Sequence, residues 1–275
     1  MSLPFAEVIG DPIAQSKSPL IHKHWLRLLG IEGDYFRSRV EAPNLRSFLE
    51  DRQEEADWRG CNVTVPYKQA VLTFLAELDA SAAAVGAVNC IVPRSGRLIG
   101  FNTDVDGVAA ALDGTEFEGR DAILIGAGGA ARAAVAYLAR RNAARITVLA
   151  RDPKKAEALR QLGPRVPFQF MSLDDEGAPW DPSAIINASP LGMVGSPQMP
   201  DNLLATVAFR AAGTTIFDMV YNPLETAFLS RGSEAGGRTV DGLTMLVGQA
   251  AKAFELFFGR NAPLADQQLR DLLTT

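Results

Sequence analysis

Short, nearly continuous apolar runs alternate along this chain with longer segments whose apolar positions recur every three or four residues. That is the pattern of strands followed by amphipathic helices. Strands are predicted at residues 5–10 and 35–40, and helices at 18–29 and 44–54. Ser18 and Pro19 mark the start of the first helix, with Ser as the cap and Pro at the first helical position. In 60–65, Cys61, Val63 and Val65 alternate with Asn62 and Thr64, which predicts a strand. Pro66 can open the next helix, to which Leu72, Leu75 and Leu78 give a core face. Residues 91–92 and 98–101 flank Arg94-Ser-Gly-Arg97, a hairpin signal. From about residue 119 the alternation repeats, with strands at 122–126, 145–150, 167–171, 184–187 and 214–218 and helices at 129–141 and 153–162. A last helix covers 242–258, where Leu246, Ala250, Ala253, Phe254 and Phe257 share helical spacing.

Strands alternating with helices predict an α/β chain with a doubly wound parallel sheet and a ligand crevice at the strand carboxyl ends. The most specific local signal opens the second half, where an apolar strand runs into Gly126-x-Gly128-x-x-Ala131 and straight on into a helix. Gly126 permits a tight turn, Gly128 lets backbone approach a pyrophosphate, and small Ala131 lets the helix pack on the strand. The helix N-terminus adds free N–H groups. The plain alternative is an ordinary β-turn-α connection.

Composition narrows the classes. A chain of 275 residues suits one large or two medium domains, and 47% hydrophobic with 21% charged residues is ordinary for a globular protein. A net charge of -5 argues against a nucleic-acid partner. Cys61 and Cys90 form no close motif, and His22 and His24, two apart on one helix, face different directions, so no metal site is expected. The first residues lack a basic segment followed by an apolar one, and no run has the length of a membrane span. The expectation is a soluble, cytoplasmic protein with no membrane partner.

Three segments carry candidate chemistry. Asn62-Val-Thr-Val-Pro-Tyr-Lys68 sets a lysine about one helical turn beyond a strand end, where it can reach back over the sheet for acid-base work. The alternative is a solvated helix lysine. Gly100-Phe-Asn-Thr-Asp104 places Asp104 at a helix start, as a cap or as a partner for a cationic lysine. Ser16 and Ser18 stand beside a helix N-terminus, where hydroxyls can receive a carboxylate or simply cap the helix.

Taken together these segments resemble the shikimate dehydrogenase family, which includes quinate/shikimate dehydrogenases. Ser16-Lys-Ser18-Pro, Asn62 to Lys68, Gly86-Ala-Val-Asn89, Asn102-Thr-Asp104, Gly126 to Ala133, Asn187-Ala-Ser-Pro-Leu-Gly-Met193, Asp218-Met-Val-Tyr221 and Asp241 to Gln249 run in family order over nearly the whole chain. The resemblance implies an N-terminal α/β substrate domain (1–103 and 240–275) and a Rossmann-like NADP domain (104–239), with a C-terminal helix returning to the first. It implies reversible reduction of 3-dehydroshikimate to shikimate, on the way to chorismate and the aromatic amino acids, by a monomer or homodimer. Lys68 and Asp104 would be the catalytic pair, with Ser16, Ser18 and Tyr221 on the carboxylate and Thr64, Asn89 and Gln249 on the hydroxyl-bearing side. Gly126, Ala127, Gly128, Gly129, Ala130 and Ala131 would cradle the pyrophosphate, Arg151 and Lys155 would hold the NADP 2′-phosphate, and Met219 and Gly242 would also touch the cofactor.

The chain departs from the family pattern in places. Ala150-Arg151-Asp152 replaces the usual Asn-Arg-Thr, so Arg151 favours NADP while Asp152 keeps NAD open. Gln15 stands where the family often has His, and Cys90 where Thr commonly follows the asparagine. A quinate or aminoshikimate-like substrate therefore stays an alternative. A non-catalytic dinucleotide-sensing module and a methylene-tetrahydrofolate dehydrogenase are further rivals, disfavoured by the retained Lys68, Asp104 and serine segments.

Overall fold

A computed structural model describes residues 3–173 and 181–274. The chain divides into two compact units, one of residues 1–106 with 246–275 and one of 107–245.

The first unit begins with β1 (Phe5–Gly10), α1 (Ser18–Leu28), β2 (Asp34–Arg39), α2 (Leu45–Gln53), β3 (Trp58–Val63), β4 (Glu77–Leu78), α3 (Ala80–Val85), β5 (Cys90–Arg94) and β6 (Arg97–Phe101), and α4 (Asp104–Ala111) leads out of it. Its sheet has the order β2-β1-β3-β5-β6-β4, with β5 antiparallel to both neighbours and the other pairs parallel. The antiparallel strand comes from the predicted hairpin. Arg94 pairs with Arg97 across Ser95 and Gly96, whose φ of 50° and 70° suit the tight turns that join adjacent strands.

This sheet is covered on both faces. Ile9, Val63, Ile91 and Leu98 join Leu45 and Leu49 of α2 in one apolar layer, while Ala6, Val8, Cys90 and Phe101 join Tyr35 in another. Successive strand residues point to opposite faces, so Cys61 and Cys90, on paired strands but in opposite layers, are both buried free thiols.

Two local expectations fail here. Ser18 is the first residue of α1 and not its cap; Lys17 holds the cap position without a side-chain bond. Ser18 instead donates its backbone N–H to Ser16 Oγ and accepts from that hydroxyl. Pro66 opens no α-helix. Residues 66–69 form turns before a short 3-10 helix, Ala70–Phe74, because the Lys68 carbonyl is taken by Val88 N–H at 2.7 Å and the Tyr67 hydroxyl by Val40 O at 2.7 Å. Val65 lies beyond β3 and is exposed, and Leu78 sits on the two-residue β4.

The second unit contains β7 (Asp121–Ile125), α5 (Gly129–Arg140), β8 (Arg145–Leu149), α6 (Pro153–Leu159), β9 (Phe168–Met171), β10 (Pro182–Asn187), α7 (Asp201–Arg210), β11 (Thr215–Asp218), α8 (Ala227–Glu234) and β12 (Arg238–Val240). All its strands are parallel, in the order β9-β8-β7-β10-β11-β12. The order reverses between β7 and β10, the point where such sheets open a crevice for a dinucleotide. Its core is Ile123, Ile125, Ile185 and Ile216 under Leu203 and Val207 of α7 and Phe228 of α8.

The chain then returns through α9 (Gly242–Phe258), which gives Ala253 and Phe257 to the first unit's second layer, and ends with α10 (Gln267–Thr274). Among the described residues no helix is long and apolar enough to cross a membrane.

Candidate active site

In the first unit the candidate residues converge at strand carboxyl ends. Lys68 reaches from the turns after β3 to place Nζ 2.7 Å from Asp104 Oδ2. Asp104 begins α4 and its N–H is received by Asn102 Oδ1 at 3.1 Å. Its second oxygen accepts Asn89 Nδ2 at 2.9 Å. Asn89 is the hub of this cluster: it also donates to Thr103 Oγ1 at 3.0 Å and accepts Thr103 N–H at 2.7 Å. Thr103 Oγ1 in turn donates to Gln249 Oε1 on α9 at 3.4 Å. Asp104 is nearly buried while Lys68 keeps 22% of its side chain exposed, so the ammonium stays reachable at the end of a fixed carboxylate. Such a pair can hold a proton against an alkoxide developing next to it.

Ser16 and Ser18 lie together at the start of α1, their hydroxyls 3.3 Å apart, and Arg37 of β2 donates to the Ser16 carbonyl at 2.8 Å. Thr64 follows β3 and crowds Gly10, where a Cβ would come within 2.5 Å of the Thr64 methyl; this close approach requires glycine. Cys90 faces the core and Gln15 is exposed.

The second unit holds its own pocket, a cavity of about 230 Å³ at the carboxyl ends of β7 and β8. Gly126, Ala127, Gly128, Arg151 and Lys155 line it, as do Asp152 and the loop Ala188 to Leu191. Gly126 has φ 107° and a Cβ there would stand 3.0 Å from the Ala188 carbonyl, so only glycine suits the turn. A Cβ on Gly128 or Gly129 would meet nothing within 4 Å, which leaves an open floor before α5. No side chain caps that helix, and its first residues, Gly129, Ala130 and buried Ala131, present free N–H groups. An anionic pyrophosphate fits this cradle. Arg151 and Lys155 are exposed at the rim and make no ion pair among the described residues. Asp152 caps α6 instead, Oδ1 accepting the N–H groups of Lys154 at 3.0 Å and Lys155 at 3.2 Å.

Three further predicted residues belong to this unit and do not line the pocket: Met219 and Tyr221 after β11, and Gly242 at the start of α9. A Cβ on Gly242 would sit 2.5 Å from Met219 O, so this approach also demands glycine. Burial raises the Tyr221 hydroxyl above its usual range.

Family models match most of the chain: a shikimate dehydrogenase substrate binding domain at residues 8–91, a shikimate / quinate 5-dehydrogenase domain at 109–180 and a shikimate 5'-dehydrogenase C-terminal domain at 242–266. The shikimate dehydrogenase (NADP(+)) of Sphingopyxis alaskensis is 45% identical over 98% of this chain and 97% of its own length. The chain belongs to the shikimate dehydrogenase family. Among solved members, the shikimate 5-dehydrogenase of Thermus thermophilus in complex with NADP(H) and shikimate has a TM-score of 0.83 and 31% identity, covering 98% of each chain. A ligand-free 5-ketofructose reductase of Gluconobacter is as near in shape, with a TM-score of 0.87 and 30% identity over 98% of this chain and 97% of that one.

Sequence reasoning gave no role to three residues that organise the pocket wall of this shikimate dehydrogenase family member, although Asn187 and Asp218 open two of the family segments. Asn187 and Asp218 end paired strands side by side, and Thr226 caps α8. Asp218 is fully buried, and burial lifts its carboxyl to about 6 against hydrogen bonds from Thr226, Val220 and Asn187. The signal was a polar residue closing each apolar strand.

Proposed function

We propose that this chain is an NADP-dependent oxidoreductase that reversibly reduces 3-dehydroshikimate to shikimate, a step toward chorismate and the aromatic amino acids. The observation that carries the reading is the Lys68–Asp104 pair at 2.7 Å, tied through Asn89 and Thr103 to Gln249. The homology to an enzyme named for this reaction supports it. In this reading the first unit receives the substrate and the second the dinucleotide. When bound, the reduced cofactor supplies a hydride to the ring ketone. Lys68 donates a proton to the oxygen as charge develops there and takes it back in the reverse direction. Asp104 keeps the ammonium aimed and accepts a ring hydroxyl. Ser16 and Ser18 bind the carboxylate, and Thr64, Asn89 and Gln249 face the hydroxyls, replacing lost water contacts.

Arg151 and Lys155, exposed on the pocket rim, would hold the 2′-phosphate. Use of NAD as well is the second reading, favoured by Asp152 on the same pocket wall. The setting we assign is cytoplasmic, in keeping with two free buried thiols, and the partners are small molecules handled by a monomer or homodimer. Initial rates read at the nicotinamide absorbance, with shikimate and quinate each paired with NADP and NAD, test the proposal. Shikimate with NADP should lead. A lead by quinate or NAD would reassign the substrate or cofactor, and no turnover with any pair would overturn the reading.

A further inference from the structure

The loop that walls the dinucleotide pocket is pinned at its base by the residue that ends β10. Residues 188–191 leave β10 with no helix or strand to fix them, yet Ala188 backbone and Ser189 Cβ press to within 3.0 Å of where a Cβ on Gly126 would stand. Asn187 fixes them from below. Its Oδ1 accepts Ser189 N–H at 3.1 Å and Ser189 Oγ at 2.7 Å, and its Nδ2 donates to Leu191 O at 3.1 Å. The same Nδ2 donates to Asp218 Oδ1 at 2.9 Å on the neighbouring strand.

Asp218 therefore ties the wall to the segment after β11. Oδ1 also accepts Val220 N–H at 3.0 Å, which with Met219 N–H to Asn187 O at 2.9 Å sets the segment after β11 against Gly242. Oδ2 accepts the Thr226 hydroxyl at 2.6 Å, so the N-terminus of α8 braces the carboxylate. Asn187 and Asp218 are fully buried and Thr226 nearly so. Neither Asp218 nor Thr226 lines the pocket, so neither is a ligand-contacting group there.

We infer that Asp218, braced by Thr226 and acting through Asn187, is a positioning residue that presets the 188–191 wall for the dinucleotide. A buried carboxylate is costly unless its acceptor sites are filled, and here its three partners, Asn187, Val220 and Thr226, each fix a different piece of backbone. The binding energy of the cofactor is then not drawn on to order the loop. The inference rests on the second unit being the dinucleotide site.

The test uses the whole protein and two readouts: the dissociation constant for NADPH by fluorescence titration, without substrate, and the KM for shikimate at saturating NADP. Thr226→Val removes the brace, and Thr226→Ser restores the hydroxyl. Asp218→Asn is the direct variant, and Thr226→Val carries the test where Asp218→Asn does not fold. The expected result is NADPH binding weakened about fivefold or more in Thr226→Val, near-normal binding in Thr226→Ser, and shikimate KM within about twofold of wild type. Unchanged NADPH binding in a Thr226→Val protein of lowered melting temperature would reduce the network to a stability role and overturn the inference. A parallel rise of both constants would overturn it as well. Wild-type protein that fails to bind NADPH would instead sink the dinucleotide reading, and the inference with it.

Discussion

Replacing His22 by Phe should make the fold less sensitive to acid. His22 lies on α1 with its ring stacked on Tyr35, centroids 4.0 Å apart and 4° between planes, and with Trp25 and Phe254 around it. It is fully buried, and neither ring nitrogen has a hydrogen-bond partner among the described residues. Burial lowers its pKa from 6.5 to about 3. The folded value is the depressed one, so as pH falls the unfolded chain takes the proton first and stability is lost from about 6.5 downward, toward about 3. Between about pH 7 and pH 4.5 this single group removes about 2 to 3 kcal/mol. Phe keeps the ring stack and cannot titrate. Its extra bulk costs about 1 to 3 kcal/mol at any pH, against relief of two unpaired polar atoms of similar size. Urea unfolding of both proteins along that pH range, with the m-value checked for constancy, gives the gap directly. The variant should gain on the wild type by about 2 to 3 kcal/mol as pH drops. A gap that stays constant with pH would refute the reasoning, since it would mean His22 is protonated in the folded state or already shielded in the unfolded one.

Other outcomes follow from the same geometry. Lys68→Met should retain shikimate binding, measured by calorimetry, while kcat falls by about 10²- to 10⁴-fold; near-normal turnover would remove Lys68 from the proton transfer. Arg151→Ala should raise the KM for NADP about tenfold or more and leave that for NAD within twofold, because only the former has a phosphate to lose. Arg52→Met strands the fully buried Glu7, which Arg52 Nε meets at 2.7 Å beside Trp58 Nε1 at 2.9 Å. The expected loss is about 3 kcal/mol, read as a lower thermal midpoint that Glu7→Gln in the same chain partly restores.

The periodic parts of this fold were legible because local pattern and tertiary role agree. The strand, glycine turn and helix at 121–140 lie where the apolar run and the small residues put them, and the Arg94–Arg97 hairpin lies where its turn residues do. That hairpin already implied an antiparallel strand in a sheet otherwise read as parallel. Legibility ended where a distant group captured a local one. The Lys68 carbonyl bonds to Val88 and not along a helix. Helices α7, α8 and α10 went unread, although Thr226 caps α8 and Asp266 accepts Leu269 N–H at 2.7 Å, both ordinary start signals. The meeting of Lys68 with Asp104, 36 residues apart, or of Asp218 with Asn187, 31 apart, has no local signature; only strand order creates it.

The return of α9 has a consequence in time. Ala253 and Phe257 complete one layer of the first sheet, and Phe254 packs on His22 and Trp25, yet all three are translated after the whole of the second unit. At roughly 5 to 20 residues per second, the intervening stretch of about 140 residues takes the ribosome roughly 7 to 30 s. For that interval Ala6, Val8 and Phe101 wait without their cover, while the contiguous second unit can close as soon as it emerges. The nascent chain therefore finishes its middle before its beginning, and the apolar face that waits is the one a chaperone would meet.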